Sequence, residues 1–261
     1  MDILLPIFIF LFGTAIGSFS NVCIYRLPRK VSIVTPSSRC PACGKSISPL
    51  DNIPIISFIM LRGKCRFCRS PISWQYPIVE IITGLTYLLL YLKFHISFPV
   101  LIHNGTSLFP VYAILCTSLI IIAFIDLEHK IIPDVITIPG ILIGLTVSFT
   151  MPHITALNSI KGLLIGGGLF YVAAVLSRGG MGGGDIKLIA MIGSFLGWKT
   201  TLLTIFLGSF IGSIVGITLM VLKKKGRKDM IPFGPFLSLG AIISIFFGRD
   251  LIYLWLTLTF G

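Results

Sequence analysis

The stretch Gly182-Gly183-Gly184-Asp185 places one acid in a glycine-rich segment between two long apolar runs. Glycine holds five of the six positions from 179 to 184. Such a run opposes an ordinary helix, because each glycine loses more backbone freedom on folding than any other residue. The sequence therefore predicts a carboxylate on hinge-like backbone at the edge of a bilayer, where an extended chain could approach it closely.

A second acid, Asp126, stands at the end of another apolar run, in Phe124-Ile125-Asp126-Leu127-Glu128. Two carboxylates that share a site cannot both ionise easily, so such a pair holds one proton between them. The ionised member can take a proton from water while the other donates a hydrogen bond to a peptide carbonyl. We therefore interpret Asp126 and Asp185 as the catalytic pair of a membrane aspartyl peptidase. Alternatively, each is a separate charge at the lipid edge, and Asp185 is a helix N-cap.

Composition excludes a soluble globular protein. Hydrophobic residues make up 55% of the 261 residues, charged residues only 11%, and the mean hydropathy is +0.99. In a soluble protein the net charge of +12 would suggest nucleic acid. In a chain of apolar segments, the basic residues are better explained as topological anchors, so we expect no nucleic-acid partner.

Several apolar segments near twenty residues long predict an all-α polytopic membrane protein with about eight transmembrane helices. The first segment has no early basic cluster and no small-residue cleavage site, so we expect a retained helix rather than a removed signal peptide. The predicted spans are residues 4–25, 76–92, 108–126, 134–150, 157–177, 185–198, 200–222 and 234–256.

Lysine and arginine are concentrated on one side of these spans. They lie in the segment 26–75, near residue 130, at 178–187 and at 223–228, and the last run also suits contact with anionic lipid. By the positive-inside rule this side is cytoplasmic, and both termini lie outside. The two acids then share the cytoplasmic face. The exceptions are Lys93, Lys161, Lys199 and Arg249.

The polar segment 26–75 carries the pattern Cys-x2-Cys-x21-Cys-x2-Cys. This spacing is typical of two knuckles that bring four thiolates to a tetrahedral zinc ion. A pair of disulfides is the alternative, which a reducing cytoplasm disfavours. Four cysteine ligands leave no open coordination site, so we expect the zinc to be structural. The predicted ligands are Cys40, Cys43, Cys65 and Cys68.

Two polar residues in the first two spans are further candidates. Glu80 lies about one turn into its span, where a carboxylate is expensive and marks either a functional group or an ion pair with an arginine of the basic loop. Asn21 ends a stripe of small and polar residues that begins at Gly13. That stripe is typical of helix packing, although Asn21 could instead line a site.

Six motifs, in this order along nearly the whole chain, resemble the type IV prepilin peptidases, a family of bifunctional leader peptidases and N-methyltransferases. Gly-x-Gly-Asp alone is also found in presenilin-like peptidases, but the Tyr-Asp partner motif of that type is absent here. The motifs are Gly17-Ser18-Phe19-Ser20-Asn21-Val22 with Tyr25-Arg26-Leu27-Pro28, the paired Cys-x-x-Cys, Tyr76-Pro77-Ile78-Val79-Glu80, Asp126 with Ile132-Pro133-Asp134, Gly182-Gly183-Gly184-Asp185-Ile186-Lys187, and Pro232-Phe233-Gly234-Pro235.

The resemblance implies that Asp126 and Asp185 cleave a short basic leader just after a glycine, at the cytoplasmic face of the bacterial inner membrane. The substrates would be prepilins or pseudopilins of type IV pili or type II secretion. It also implies methylation of the new N-terminal residue with S-adenosylmethionine. No Rossmann-type glycine fingerprint is visible in the sequence, so Glu80 and Asn21, beside the cysteine loop, are our hypothesis for the wall of the methyl-donor site.

This interpretation divides the chain into three parts. Residues 1–25 form the first transmembrane helix, residues 26–75 a cytoplasmic four-cysteine zinc domain associated with methyl transfer, and residues 76–261 a seven-helix membrane peptidase domain. An ion or metal transporter is the alternative from another class, since acids at membrane depth mark ion paths. It predicts acids toward mid-span and a repeat of broken helices, which the sequence lacks. A zinc-loop scaffold without chemistry would not need an acid on a glycine hinge.

Overall fold

The computed structural model describes residues 4–97, 108–150, 155–177, 180–222 and 231–260, and the regular elements in these ranges are helices. Arg178, the basic run at 223–228 and residues 98–107 lie outside the described residues. A short 3₁₀ turn at Pro49–Asn52 precedes α2. The helices are α1 (Leu4–Arg26), α2 (Ile56–Met60), α3 (Gln75–Ser97), α4 (Leu108–His129), α5 (Asp134–Thr150), α6 (Ala156–Leu176), α7 (Gly183–Val221) and α8 (Gly234–Phe260).

The chain forms two compact units, residues 1–121 and 122–261, and the boundary between them falls inside α4. The first unit holds α1, the four-cysteine loop, α2 and α3. The second holds the end of α4 and the helices α5 to α8. The functional division at residues 25 and 75 stays a prediction.

In the first unit, α1 and α3 pack closely through small residues. A Cβ added at Gly17 would lie 2.7 Å from Cα of Glu80, and one at Gly13 would lie 2.8 Å from Cβ of Tyr87. Side chains at these two positions would force the helices apart. The small-residue stripe of α1 is therefore a packing surface, as the sequence predicted.

In the second unit, α7 packs against α6 and α8 in the same manner. The backbones of Gly162 and Gly193 touch, and the Ser159 hydroxyl donates a hydrogen bond to the Ser194 carbonyl. A Cβ added at Gly208 would lie 3.1 Å from the carbonyl oxygen of Phe236 in α8. Gly208 therefore serves close packing of α7 against α8.

The helix α7 is one element of 39 residues that bends sharply at Gly197, where φ is 73°. A Cβ added at Gly166 of α6 would lie 2.8 Å from Cγ2 of Thr201 and 3.1 Å from the carbonyl oxygen of Ile189. Those two residues would be about 18 Å apart along a straight helix. The two halves of α7 therefore fold back on each other, and glycine is required at the bend because φ is positive.

Six of the described helices are long and apolar enough to cross a membrane, namely α1, α3, α4, α6, α7 and α8. The protein is an all-helical integral membrane protein, as predicted, and the count of six long apolar helices differs slightly from the expected number of about eight. The predicted spans 185–198 and 200–222 correspond to the two halves of α7 on either side of the bend at Gly197, and α5 is a shorter apolar helix. Hydropathy located all of these apolar segments. It does not show whether the helix in a segment, such as α5, is long enough to cross the membrane.

Candidate active site and metal centre

Asp126 lies in the last turns of α4 and only 5% of its surface is exposed. Its Oδ2 accepts a hydrogen bond of 2.9 Å from the backbone N–H of Gly234, the first residue of α8. The first N–H groups of a helix have no partner within the helix, so they are free to bind an acceptor from elsewhere. The start of α8 thus holds one carboxylate oxygen of Asp126 in place.

Asp185 is the third residue of α7, and Gly182 is the N-cap. The backbone N–H of Asp185 donates a hydrogen bond of 3.1 Å to the carbonyl oxygen of Gly182, which closes the first turn of the helix. The alternative that Asp185 is itself the N-cap is therefore wrong. The expectation that the glycines resist helix is also corrected, since Gly183 and Gly184 form the first turn of α7.

The carboxyl groups of Asp126 and Asp185 lie within electrostatic range of each other. The acid near the end of α4 and the acid in the first turn of α7 are thus brought together within the second unit. The Asp126 carboxylate keeps its hydrogen bond from the backbone N–H of Gly234. Two carboxylates within this range are not easily ionised together, and general acid–base chemistry on a peptide bond uses one protonated and one ionised carboxyl group.

The segment between α4 and α5 also positions the start of α7. A Cβ added at Gly184 would lie 2.8 Å from Cβ of Ile132, whereas one at Gly183 would meet nothing within 4 Å. Asp134 lies in the first turn of α5, and both of its oxygens bind Nζ of Lys187 at 2.7 Å. This ion pair ties the first turns of α5 and α7 together.

The four predicted cysteine ligands form one cluster in the first unit, with all four sulfur atoms within 4.8 Å of one another. The disulfide alternative is wrong, because all four are free thiols. Sγ of Cys40 and Sγ of Cys68 are 3.8 Å apart. A tetrahedral zinc ion with Zn–S bonds of about 2.3 Å holds its sulfurs about 3.8 Å apart. The geometry of the cluster therefore fits a four-thiolate metal site.

The two Cys-x-x-Cys segments of the cluster have the same backbone conformation. The N–H of Gly44 donates to the carbonyl of Cys40 at 2.8 Å, and the N–H of Arg69 donates to the carbonyl of Cys65 at 3.1 Å. Gly44 and Arg69 both have positive φ, 71° and 61°. Each Cys-x-x-Cys is thus a knuckle that closes with a left-handed residue, and glycine fills that position in only one of them.

The thiols of the cluster differ in acidity. The backbone N–H groups of Cys43 and then Ala42 lower the pKa of the Cys40 thiol to about 6, although its burial opposes the shift. The Lys45 backbone lowers the pKa of Cys43, but burial and the Cys40 and Cys68 sulfurs outweigh it and raise the value to about 11. Four thiolates this close repel one another, so a bound cation is what would keep all four deprotonated.

The remaining two candidates have partners inside the first unit. Oε2 of Glu80, a buried residue, accepts a hydrogen bond of 2.7 Å from the backbone N–H of Ile55, which has a φ of 62°. That partner replaces the arginine that the ion-pair alternative predicted. Nδ2 of Asn21 donates to the carbonyl of Tyr76 at 3.0 Å. Both side chains therefore join parts of the fold, and their role at a methyl-donor site stays a prediction.

Comparison with known proteins assigns the chain to a family. The model of the bacterial peptidase A24 N-terminal domain matches residues 11–94, and that of the type IV leader peptidase family matches residues 113–217. A prepilin leader peptidase/N-methyltransferase from Aeromonas hydrophila is 32% identical over 95% of this chain and 93% of its own. The chain belongs to the type IV leader peptidase family.

Other members show the same extent of similarity. The prepilin leader peptidase/N-methyltransferase of Pseudomonas aeruginosa is 32% identical over 92% of this chain and 90% of its own, and that of Bacillus subtilis is 32% identical over 97% and 98%. No solved structure matches the chain. The family's N-terminal domain covers the four cysteines, Asn21 and Glu80, and the peptidase model covers both acids.

Sequence reasoning missed three residues of the peptidase site. Gly234 binds Asp126 from a point 108 residues away. Ile132 meets the first turn of α7, and Lys187 pairs with Asp134. The signals were present in the motifs Pro232-Phe233-Gly234-Pro235 and Ile132-Pro133-Asp134, where a proline beside a helix start indicates free N–H donors.

Proposed function

We propose that this leader peptidase uses Asp126 and Asp185 to hydrolyse the leader bond of a prepilin or pseudopilin, and that the same chain N-methylates the new N-terminus. The proposal is carried by one observation, the buried Asp126 carboxylate fixed by the start of α8 within electrostatic range of Asp185. The relatives bear both activities in their names, and nothing in these comparisons supports a transporter.

The reaction follows from one proton shared by two carboxyl groups. The ionised carboxylate takes a proton from water, and the water oxygen bonds to the carbonyl carbon of the scissile peptide. The protonated carboxyl group stabilises the developing oxyanion by donating its hydrogen bond. When the tetrahedral intermediate collapses, the C–N bond breaks and a proton passes to the leaving nitrogen, so that a new carboxyl and a new amine result.

The cysteine cluster would hold a structural zinc ion through Cys40, Cys43, Cys65 and Cys68. Its sulfur spacing supports this assignment, and a closed four-thiolate site leaves no position for a substrate. S-adenosylmethionine would supply an electrophilic methyl group to the new N-terminal amine. Glu80 and Asn21, beside the cysteine loop in the first unit, remain our candidates for the wall of the S-adenosylmethionine site.

We further propose that the chain lies in the bacterial cytoplasmic membrane with the zinc loop and the acid pair at the cytoplasmic face. The distribution of lysine and arginine supports this orientation. The leader of the substrate would then be cut on the cytoplasmic side, while its apolar helix stays in the bilayer.

Mass spectrometry of a prepilin incubated with the purified protein, with and without S-adenosylmethionine, tests the proposal. We expect loss of the leader in both cases and an added methyl mass only with the donor. Asp126→Asn and Asp185→Asn should each slow cleavage by at least about a hundredfold. Asp250→Asn, an exposed acid on α8, is the matched control and should cleave normally.

Retained cleavage in either folded variant would remove that acid from the pair. An unchanged substrate in the presence of folded, zinc-loaded wild-type protein would refute the peptidase function and restore the transporter hypothesis.

A further inference from the structure

The short helix α2 presents an apolar surface that a water-exposed loop would be expected to bury. Ile56, Ile59 and Met60, three of its five residues, are 50%, 68% and 77% exposed. Leu50 in the preceding 3₁₀ turn is 76% exposed. A contiguous exposed apolar patch of this kind marks an interaction surface, so its position relative to the membrane decides what covers it.

The structure places α2 beside the first turns of α3, a membrane-spanning helix. The N–H of Ile55, immediately before α2, is bound to Glu80, which lies about 7.5 Å along α3 from its first residue. A cavity of about 510 Å³ lies between the two helices and is lined by Phe58 and Ile59 of α2 and by Pro77 and Ile81 of α3. The helix α2 therefore lies at the depth where α3 enters the bilayer.

The exposed surface of α2 continues onto the outer surface of α3. Ile78, Ile81 and Ile82 of α3 are 43%, 39% and 39% exposed, as expected for side chains that face lipid. Trp74, one residue before α3, is 70% exposed and packs against Phe58 with ring centroids 4.9 Å apart. An exposed tryptophan at the end of a span is typical of the membrane interface.

Basic side chains follow this apolar surface in the sequence. Arg62, just after α2, lines the same cavity, and Lys64 comes two residues later. The nearby acid Asp51 is bound by Arg66, with contacts of 2.5 and 2.7 Å, and so has its own cation. Long basic side chains beside buried apolar surface keep their charged ends at the level of the lipid headgroups.

We propose that α2, Leu50 and Trp74 form a membrane-interface surface that lies in the phospholipid layer at the boundary of headgroups and acyl chains, and that Arg62 binds lipid phosphate. The four-cysteine loop is then held against the bilayer by α2 as well as by its two flanking spans. This inference does not rest on the proposed function, because it requires neither cleavage nor methylation.

Fluorescence quenching in phosphatidylcholine vesicles tests the depth of α2. The chain has three tryptophans, so Trp198→Phe with Trp255→Phe leaves Trp74 as the only reporter in the full-length protein. Lipids brominated near the carbonyl end of the acyl chain should roughly halve its emission, and aqueous iodide should have little effect.

A matched reporter lies in the second knuckle, away from α2 in sequence. Phe67 is 52% exposed and lies under the ammonium of Lys45, 4.7 Å from the ring centroid. With all three tryptophans replaced by Phe, Phe67→Trp should respond to iodide and not to brominated lipid. Quenching of Trp74 by iodide to the same degree as this reporter would overturn the proposal. Protection of Trp74 from both quenchers would overturn it too, in favour of a protein partner such as a second copy.

The phosphate contact is tested with vesicles that contain phosphatidylglycerol. Anionic lipid should increase quenching of Trp74 by brominated lipid, and Arg62→Gln should abolish that increase. Arg39→Gln in the first knuckle is the control and should retain it. If anionic lipid still increases the quenching of Trp74 in the Arg62→Gln variant, Arg62 does not bind the lipid phosphate. Failure of the peptidase assay would leave all of these outcomes unaffected.

Discussion

The backbone N–H of Gly234 donates a hydrogen bond of 2.9 Å to Oδ2 of Asp126, and the same glycine lies against that carboxylate without a side chain. A Cβ added at Gly234 would lie 2.7 Å from Oδ2 and 3.3 Å from the carboxyl carbon. The backbone of Gly234 thus donates to the acid, and the absence of a side chain leaves the room that the Asp126 carboxylate needs. Any side chain at this position must displace one of the two groups that we propose for catalysis.

Gly234→Ala should therefore lower the rate of leader cleavage by at least about tenfold, since a displacement near 1 Å of a catalytic group can cost about a hundredfold. The measurement is the single-turnover cleavage rate of a prepilin in detergent or vesicles. Gly248→Ala on the same helix is the control, because its added Cβ would meet neighbours only at ordinary contact distances of 3.5 Å and more. Equal rates in the two variants would contradict the positioning role.

The two glycines before Asp185 should differ in their tolerance of a methyl group. Gly184→Ala places a Cβ 2.8 Å from Cβ of Ile132, while Gly183→Ala places one in open space. We expect Gly184→Ala to shift the first turn of α7, move Asp185 and reduce cleavage at least about tenfold. Gly183→Ala should retain cleavage, since alanine favours the helix by about 1 kcal/mol over glycine. Faster cleavage by the Gly184→Ala variant than by the Gly183→Ala variant would refute this account.

The sequence predicted both acids and the four cysteines because each depends on a short local pattern. Cys-x2-Cys and the residue after it specify a knuckle of five residues, and an acid at the end of an apolar run indicates a position at the edge of a bilayer. The bond from Gly234 to Asp126 has no such pattern, because it joins residues 108 positions apart. It depends on how α8 begins, which is a tertiary property.

The same limit applies to the fold. Hydropathy divided residues 185–222 near residue 199, close to the bend at Gly197 where the backbone leaves helical geometry. It could not show that both halves then meet Gly166 of α6. The hydrogen bond between Ile55 and Glu80 was unpredictable because Ile55 adopts a φ of 62°, which is rare for a β-branched residue. Such a conformation arises only when the surrounding structure imposes it.

Removal of one cysteine ligand should release the metal from the four-cysteine loop. Loss of a group that hydrogen-bonds to a metal ligand lowers metal affinity by roughly 10–100-fold. Cys40→Ser removes a ligand itself, so it should lower zinc affinity by more than that. Methylation should be lost before cleavage. Elemental analysis and methylation assays measure the two effects. Cys23→Ala, a buried cysteine of α1 outside the cluster, should keep its zinc. Full zinc occupancy in Cys40→Ser would rule out the four-thiolate site.

Glu80 offers the last prediction, which separates its structural role from a role in methyl transfer. Glu80→Ala leaves the buried N–H of Ile55 without an acceptor, which costs about 1–3 kcal/mol and should loosen the segment around α2. Glu80→Gln keeps an oxygen acceptor at the same position and should keep the loop folded. Limited proteolysis of the loop and a methylation assay on a pre-cleaved substrate measure the two properties separately. If Glu80→Gln keeps both folding and methylation, the carboxylate charge has no part in methyl transfer; if it keeps folding and loses methylation, Glu80 belongs to the methyl-donor side of the enzyme.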